Sequence, residues 1–366
     1  MPKTILSILG TRPQFVKAAA FSRALKDDAG ERLREIIIHT GQHFDATMSE
    51  VFLNQLSIPK PACQLAPKPD VGRAQRMAYM THELEGLIRK YQPDMVVITG
   101  DTDSAAAGAQ AARAEGIILA HIESGLRVYD FFMPEEINRV LADSMSDLLF
   151  VSSKTAADNL SKEKVQGRIV HSGDIMLDTL YNYLPHIPPV TPLLKLMKLR
   201  SQKYFILTLH RAELVENSEM FARAIGILNR LSSKKFPVLF PVHPRTAAAL
   251  QELPEADRKN LHCIAPVPYL DMLSLLGHAE MILTDSGGLQ KEAYWLKTPC
   301  ITVRKNTEWV ETLISGWNIL CDPAEDEFEQ QLQQAIARPK PGKHDTGLYG
   351  TGSAGKKIVQ AILQYL

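Results

Sequence analysis

Two short segments, one in each half of the chain, constrain the fold most, because each joins a strand-like apolar run to a helical pattern through small residues. They are residues 10–17, with the sequence GTRPQFVK, and residues 283–293, with the sequence LTDSGGLQKEA. Where a strand turns directly into a helix, the first backbone N–H groups of the helix point outward and bind anions. Two such segments predict one phosphorylated ligand held between two α/β domains.

Apolar runs of strand length alternate with helical patterns in both halves of the chain. In the first half the predicted strands are Thr4–Leu9, Glu35–His39, Met95–Thr99, Ile117–His121 and Leu148–Val151. In the second half they are Tyr204–Leu209, Val238–Val242, Leu261–Ile264, Met281–Thr284 and Cys300–Val303. Helices are predicted between the first set, at Ala18–Leu25, Leu84–Tyr91 and Ala105–Glu115. This alternation predicts parallel sheets covered by helices on both faces.

Four prolines between Tyr183 and Pro192 predict a linker, because proline resists continuation of a helix. We therefore expect residues 1–180 and residues 193–351 to form two Rossmann-like α/β domains with parallel sheets and an interdomain cleft. Apolar residues at helical spacing in residues 352–366 predict a final amphipathic helix.

Composition and charge argue against several classes of protein. Lys plus Arg and Asp plus Glu number 41 each, so the chain has no overall field suited to a nucleic acid partner. The four cysteines form no CxxC pair, which argues against a disulfide framework or a structural zinc site. No signal-peptide core follows Met1, and no apolar stretch reaches the roughly 18 residues of a membrane span. We expect a soluble cytoplasmic protein that has no membrane partner.

The glycine-containing turn after the fourth predicted strand of the second half is a candidate nucleotide site. Asp285 and Ser286 suit the N-cap of the next helix, and Gly287 and Gly288 lack Cβ atoms, so a phosphate can approach the backbone. Glu292 lies further along the same helix and could accept hydrogen bonds from the two hydroxyls of a ribose. An ordinary capped helix with a tight turn would explain this segment equally well.

Two cations, Arg12 and Lys17, flank the other helix start, where Pro13 suits the first turn. The helix dipole disfavours cations at this end, so an anionic ligand near both would explain them. The alternative is a pair of solvated surface charges.

Carboxylates follow two predicted strands of the first half and begin a later helix. Asp101 and Glu123 come at the carboxyl ends of these strands, where open α/β sheets place ligands, and Glu135 and Glu136 open the helix. Clustered carboxylates can divide the roles of acid and base. Any one of them could be a cap or a first-turn acid, but together they indicate a catalytic cluster.

Two histidines, His210 and His243, follow predicted strands of the second half, each with an arginine close behind. We expect both to face the cleft, where an imidazole can donate a proton to a leaving phosphate or stabilise its charge. A lone histidine at a strand end is usually structural.

The residues by themselves predict a two-domain enzyme for a nucleotide-linked substrate, while a glycosyltransferase or a phosphate-binding regulator would share most of these features.

A series of ordered motifs resembles the non-hydrolysing UDP-N-acetylglucosamine 2-epimerase family over almost the full length of the chain. The motifs are residues 10–13 (GTRP) with Lys17, 40–43 (TGQH), 100–102 (GDT), 123–127 (ESGLR), 134–139 (PEEINR), 210–211 (HR), 285–288 (DSGG) with Gln290 and Glu292, and Arg304 with Thr307 and Glu308. The resemblance implies a GT-B fold, in which the final helix packs on the first domain, and a homodimer.

The resemblance also implies inversion at C2 of a UDP-2-acetamido sugar, without NAD or a metal. A base removes the C2 proton, UDP leaves C1 to give a 2-acetamidoglucal, and a proton and UDP then add back. The catalytic residues that match are Asp101, Glu123, Glu135 and His210. The substrate-binding residues that match are Arg12, Lys17, Arg139, Ser286, Gly287, Gly288, Glu292, Arg304 and Glu308. His243 is added to the substrate-binding set as the second histidine expected at the cleft. Which acid serves which face of the sugar stays open.

Several residues depart from the commonest family pattern, among them Gln14, Ser124, Lys291 and Trp309. These variants resemble a branch that acts on UDP-2,3-diacetamido-2,3-dideoxyglucuronic acid, so the sugar stays open between that compound and UDP-N-acetylglucosamine. The regulatory site of the family uses a Gln-His segment. Gln42 and His43 are present here, but Phe44 and Asp45 follow them, which leaves allosteric activation open. The alternatives to this reading are a GT-B glycosyltransferase, a UDP-sugar-binding regulator and a hydrolysing 2-epimerase.

Overall fold

The computed structural model describes residues 2–42, 55–67, 71–187, 192–196, 199–232 and 236–366. The chain divides into two units: Met1–Asn182 together with Thr346–Leu366 form the first, and Tyr183–Asp345 form the second. Residues 43–45 of the family-like segment, and Pro188 and Pro189 of the predicted linker, lie outside the described residues.

The first unit is built on a parallel sheet of seven strands in the order β3-β2-β1-β4-β5-β6-β7. The strands are β1 Lys3–Leu9, β2 Leu33–His39, β3 Cys63–Gln64, β4 Met95–Thr99, β5 Ile118–Ser124, β6 Leu148–Val151 and β7 Arg168–His171. β4 and β6 have the predicted bounds because every residue in them is buried, which produces the continuous apolar signal of a central parallel strand. The sequence pattern misses the edge strands β3 and β7, because neither contains a buried residue.

Helices cover this sheet and begin where the strand-end turns allow. They are α1 Arg12–Ala24, α2 Arg73–Tyr91, α3 Asp103–Ala114, α4 Pro134–Met145, α5 Lys154–Glu163 and α6 Ile175–Tyr183. The alanine-rich α3 packs tightly on the sheet, since a Cβ on Gly108 would lie only 2.7 Å from the Ile8 side chain. α1 begins six residues before the predicted start at Ala18, because Thr11 occupies its N-cap position.

The second unit is built on a parallel sheet of six strands in the order β10-β9-β8-β11-β12-β13. The strands are β8 Phe205–Thr208, β9 Val238–Pro241, β10 Leu261–Ile264, β11 Met281–Thr284, β12 Cys300–Thr302 and β13 Asn318–Leu320. The helices are α7 Pro192–Leu196, α8 Ala212–Val215, α9 Ser218–Leu231, α10 Pro244–Glu252, α11 Tyr269–His278, α12 Gly287–Trp295, α13 Val310–Ile314 and α14 Phe328–Ala337. β10 and β11 have the predicted bounds, whereas the sequence pattern misses the short edge strand β13.

The final helix, α15 Ala354–Tyr365, belongs to the first unit. The Asp178 carboxylate accepts hydrogen bonds from the backbone N–H groups of Ala354 at 3.0 Å and Gly355 at 2.8 Å, which satisfies two donors at the helix start. A Cβ on Gly355 would lie 2.9 Å from the Cβ of Ala24, so α15 approaches α1 closely. Apolar residues of α15 complete the hydrophobic core on this face of the sheet.

Each sheet places the first strand of its unit third from one edge, as Rossmann-like folds do. The α/β, GT-B-like fold class that the sequence predicts, with two Rossmann-like domains, is therefore confirmed. Among the residues that the structure describes, no helix combines the length and the apolar character needed to cross a membrane.

Candidate active site

In the first unit, one glutamine fixes the turn between β1 and α1 to the end of β4. Gln14 Oε1 accepts hydrogen bonds from the backbone N–H groups of Gly10 at 2.8 Å and Thr11 at 3.1 Å. Gln14 Nε2 donates to the Thr99 carbonyl at 2.9 Å. An acidic residue at position 14 could not donate to the Thr99 carbonyl, because an ionised carboxylate only accepts hydrogen bonds. The amide of Gln14 suits this position because it can both accept and donate. Arg12, the first residue of α1, is half-buried at the same turn.

Lys17 of α1 forms a buried ion pair with Glu123 at the carboxyl end of β5. Only 7% of the Lys17 side chain and 9% of the Glu123 side chain are exposed. A Cβ on Gly100 would lie 3.1 Å from Lys17 Nζ and 3.4 Å from Glu123 Oε1, so the end of β4 meets this pair. The charge of Lys17, for which the sequence suggests a ligand anion, is thus offset by a carboxylate of the protein.

The backbone of Glu123 adopts a conformation that is rare for a residue with a side chain. Its φ is +69°, and the pairing of β5 with β6 shifts register between Ile122 and Ser124. Left-handed backbone in a non-glycine residue costs about 1–3 kcal/mol and, like a strand bulge, is common beside functional groups. In a regular strand, successive side chains point to opposite faces of the sheet. The bulge interrupts this alternation at Glu123, whose carboxylate pairs with Lys17.

Asp101, which follows β4, pairs with Arg139 of α4. Arg139 also contacts Glu136 Oε2 at 2.9 Å, and Asn138 Nδ2 donates to the Asp101 carbonyl at 2.9 Å. The Asp101 side chain is 28% exposed, whereas Arg139 is buried. Asp101 is therefore an accessible carboxylate whose position is set by a fixed cation.

The two glutamates that open α4 differ in environment. Glu136 is fully buried, and its carboxylate accepts hydrogen bonds from the backbone N–H groups of Val128 at 3.0 Å and Tyr129 at 2.8 Å. Glu136 therefore holds the preceding loop in place. Glu135 is half-buried, which leaves it as the candidate of the two for proton transfer.

In the second unit, Asp285 orients His210. Asp285 is 1% exposed, and its Oδ2 accepts hydrogen bonds from the backbone N–H groups of His210 and Arg211, both at 2.8 Å. His210 Nδ1 lies 3.0 Å from Asp285 Oδ1. Burial by itself would raise the pKa of Asp285, but the charge of His210 and these hydrogen bonds hold that pKa below its usual range. The histidine is thereby turned so that Nε2 is its remaining polar atom.

His243 lies beside His210, as the predicted pair requires. The two ring centroids are 5.3 Å apart. His243 is the N-cap residue of α10, and its Nδ1 accepts a hydrogen bond from the backbone N–H of Arg245 at 3.2 Å. The two strand ends therefore present two neighbouring imidazoles.

Ser286 takes the N-cap position of α12, with Gly287 and Gly288 in the first turn. Asp285 is not the cap, because its carboxylate is engaged with His210 and Arg211. Glu292 is buried and lies one turn beyond Gly288, on the same face of the helix.

Glu308 packs against the start of α12. A Cβ on Gly287 would lie 2.6 Å from Glu308 Oε1, so only glycine leaves room for this carboxylate. Arg304 Nη1 donates to Glu308 Oε2 at 3.1 Å, and Arg211 Nη2 lies 3.9 Å from Oε1. The predicted residues Gly287, Arg304 and Glu308 are therefore brought together.

Sequence reasoning assigns no role to Gln290, which holds this arrangement in place. Its Oε1 accepts hydrogen bonds from Thr307 Oγ1 at 2.6 Å and Asn318 Nδ2 at 3.1 Å. These bonds tie α12 to the segment that carries Glu308. One feature of the sequence could have pointed to this role: Gln290 is a polar residue of the family motif, and it lies on a helix that is largely buried.

Lys291 and Trp309, two of the departures from the commonest family pattern, contact each other. Lys291 is fully buried, and its Nζ lies 3.9 Å from the centroid of the Trp309 ring and 5.7 Å from that of Trp295. A cation gains most from tryptophan among the aromatic rings, and more when water is excluded. The two departures therefore lie in direct contact in the structure.

Comparison with known proteins shows the family to which this arrangement belongs. The UDP-N-acetylglucosamine 2-epimerase family model matches residues 23–363. The chain is 41% identical to the UDP-2,3-diacetamido-2,3-dideoxy-D-glucuronate 2-epimerase of Pseudomonas aeruginosa, over 97% of this chain and 98% of the relative. It is 37% identical to a UDP-N-acetylglucosamine 2-epimerase of Methanococcus maripaludis, over 97% of each chain.

The fold agrees with that of a solved relative. The crystal structure of Methanocaldococcus jannaschii UDP-GlcNAc 2-epimerase, in complex with UDP-GlcNAc and UDP, is similar with a TM-score of 0.88 at 36% identity, and the match covers 100% of both chains. Sequence and fold therefore agree over nearly the whole length. The chain belongs to the UDP-N-acetylglucosamine 2-epimerase family of isomerases.

Proposed function

We propose that this protein is a non-hydrolysing epimerase that inverts C2 of a UDP-2-acetamido sugar. The observation that carries the proposal is a pair of carboxylates at the ends of two adjacent strands, each with its own buried cation: Glu123 with Lys17, and Asp101 with Arg139. A C2 proton is weakly acidic, so its removal and return call for carboxylates held in place. A glycosyltransferase has no need for this pair.

In the proposed reaction, a carboxylate takes the C2 proton while the C1–O bond to UDP breaks, which leaves a C1–C2 double bond. A proton then returns to the opposite face of C2, and UDP adds back at C1. We assign the proton transfers to Asp101, Glu123 and Glu135. The carboxylates take up and return the proton, and UDP is both the leaving group and the group that adds back. No external reductant or oxidant is therefore required.

We assign the stabilisation of UDP mainly to the second unit. His210, oriented through Nδ1, would present Nε2 to the departing phosphate, and the backbone N–H groups of residues 286–288 would bind the diphosphate at the start of α12. Glu292 would accept hydrogen bonds from the ribose. The remaining substrate-binding assignments are Arg12, Lys17, Arg139, His243, Arg304 and Glu308.

Two sugars are candidates for the substrate. The name of the P. aeruginosa relative gives UDP-2,3-diacetamido-2,3-dideoxy-D-glucuronate, and the M. jannaschii relative was solved with UDP-GlcNAc and UDP. Incubation of the purified protein with each UDP-sugar in D2O, followed by proton and phosphorus NMR, tests both. We expect one of them to yield its C2 epimer with deuterium at C2.

The same spectra separate the alternatives. Free 2-acetamido sugar and UDP in equal amounts would identify a hydrolysing enzyme instead. An epimer that carries no deuterium would contradict proton exchange through Asp101, Glu123 and Glu135.

We also propose that the enzyme acts as a homodimer, as the family resemblance implies, and that it works in the cytoplasm, as the sequence analysis leads us to expect. Gel filtration with light scattering should then give a mass near twice the 40.8 kDa of one chain. A mass of one chain at micromolar concentration would contradict the dimer.

A further inference from the structure

His121 is a fully buried side chain of the first unit to which the proposed reaction assigns no step. It lies on β5, two residues before Glu123. Its Nε2 lies 2.8 Å from the carbonyl oxygen of Gly100, and its Nδ1 lies 2.7 Å from Asp143 Oδ1. The ring therefore bridges the residue that precedes Asp101 and a carboxylate of α4.

Both partners of the ring are hydrogen-bond acceptors. A carbonyl oxygen and an ionised carboxylate cannot donate, whereas a neutral imidazole has one donor nitrogen and one acceptor nitrogen. Asp143 is held as a carboxylate from its other side, where its Oδ2 accepts hydrogen bonds from Arg127 Nη1 at 2.7 Å and from the backbone N–H of Gly125 at 3.0 Å. Both ring nitrogens of His121 must then donate, so each carries a proton.

The charged groups around the ring balance one another. Asp143 on α4 faces His121 and also accepts a hydrogen bond from Arg127 Nη1 at 2.7 Å. Arg127, on the segment after β5, donates to both oxygens of Glu163 on α5, at 2.7 Å and 2.6 Å. Two cations and two anions therefore share one network in which only Glu163 reaches the surface, and each buried charge lies beside an opposite one, which lowers the cost of burying it.

This network reaches both strand ends that carry the proposed acids. Gly100, held by the ring, directly precedes Asp101, and its own N–H donates to the Ile122 carbonyl at 2.9 Å. Asp143 Oδ2 accepts a hydrogen bond from the backbone N–H of Gly125 at 3.0 Å, two residues after Glu123. The left-handed backbone of Glu123 is thus fixed on both sides, as a strained residue requires.

We propose that His121, protonated on both nitrogens and paired with Asp143, is a positioning residue that holds the strand ends of Asp101 and Glu123 in register. The inference rests on the proposed function only in giving these two acids their part in proton transfer. The hydrogen bonds of His121 go to Gly100 and Asp143, so its effect on the two acids is on geometry. Misplacement of a reacting group by about 1 Å can lower a rate by about 10²-fold.

Kinetics of His121→Gln test the positioning role. Glutamine can donate from its amide nitrogen to Gly100 or to Asp143, but not to both. We expect kcat to fall on the order of 100-fold, while KM and the affinity for UDP change less than about twofold, because the proposed UDP groups lie mainly in the second unit. The control is His82→Gln, the same change at an exposed position of α2, which should keep the wild-type kcat. A wild-type kcat in His121→Gln, or a loss of UDP affinity as large as the loss of kcat, would overturn the proposal.

A measurement without substrate separates this inference from the proposed function. Nitrogen-15 NMR of the histidine-labelled wild-type protein should reveal a His121 ring with a proton on both nitrogens. That signal should vanish in His121→Gln or, if this variant does not fold, change in Asp143→Asn. A His121 ring with one bare nitrogen refutes the inference even if the protein epimerises its substrate. A doubly protonated His121 in a protein that epimerises neither UDP-sugar refutes the proposed function instead.

Discussion

Replacing Gly287 with alanine tests whether the contact between the α12 turn and Glu308 belongs to the UDP site. A Cβ at this position would lie 2.6 Å from Glu308 Oε1 and 3.3 Å from Trp309 Nε1. Ordinary contacts of a Cβ begin near 3.4 Å, so the carboxylate must retreat by about 0.8 Å. Such a shift disturbs the 3.1 Å hydrogen bond that Arg304 donates to the other oxygen of Glu308.

Arg304 and Glu308 are both assigned to the UDP site, so their displacement should cost one charged hydrogen bond to UDP. Hydrogen bonds to charged groups contribute about 1.5–3 kcal/mol. At about 1.4 kcal/mol per tenfold, we expect the affinity for UDP to fall roughly 10- to 150-fold. Folding should suffer less, because alanine gains up to about 1 kcal/mol over glycine in a helix.

Calorimetric titration with UDP measures the effect, and thermal unfolding of the same samples shows that the variant is folded. The matched control is Gly277→Ala on α11, where the new Cβ would meet only Leu296 Cδ2 at 3.8 Å. Gly277→Ala should bind UDP as the wild type does. If Gly287→Ala also binds UDP with the wild-type affinity, the argument from this contact is refuted.

Three further outcomes are expected. Glu292→Ala should weaken UDP binding by about 1–3 kcal/mol, and an unchanged calorimetric affinity would remove this residue from the ribose site. Asp178→Ala should lower the free energy of unfolding by about 1–2 kcal/mol in urea, because two N–H groups of α15 lose their acceptor, while the exposed Asp158→Ala should not. The folded-state pKa values of Asp143 and Asp285 lie below the ordinary 3.8, so their stabilisation is present above that pH and is lost as pH falls through the lower values. The urea midpoint should therefore drop below about pH 4, and Asp285→Asn should make that drop smaller.

The sequence by itself determined the class of fold and the family. Central strands such as β4 and β11 are buried on both faces, so their apolar runs have the same bounds in the sequence and in the structure. The turns after β1 and β11 were predictable because proline, serine and glycine at a strand end have specific local conformations. Motifs such as residues 123–127 identified the family, since their order along the chain does not depend on how the chain is folded.

The tertiary structure alone decided which side chains act together. Lys17 and Glu123 are separated by 106 positions, and Gln14 reaches a carbonyl 85 positions away. A local pattern indicates that a residue is buried, but the partner depends on the order of strands, here β1 next to β4 and β4 next to β5. The two donor nitrogens of His121 follow from acceptors on two other elements, which no spacing along one strand can reveal. For the same reason the edge strands β3, β7 and β13 stayed unpredicted, because their pairing comes from the sheet they join and their own residues have no continuous apolar pattern.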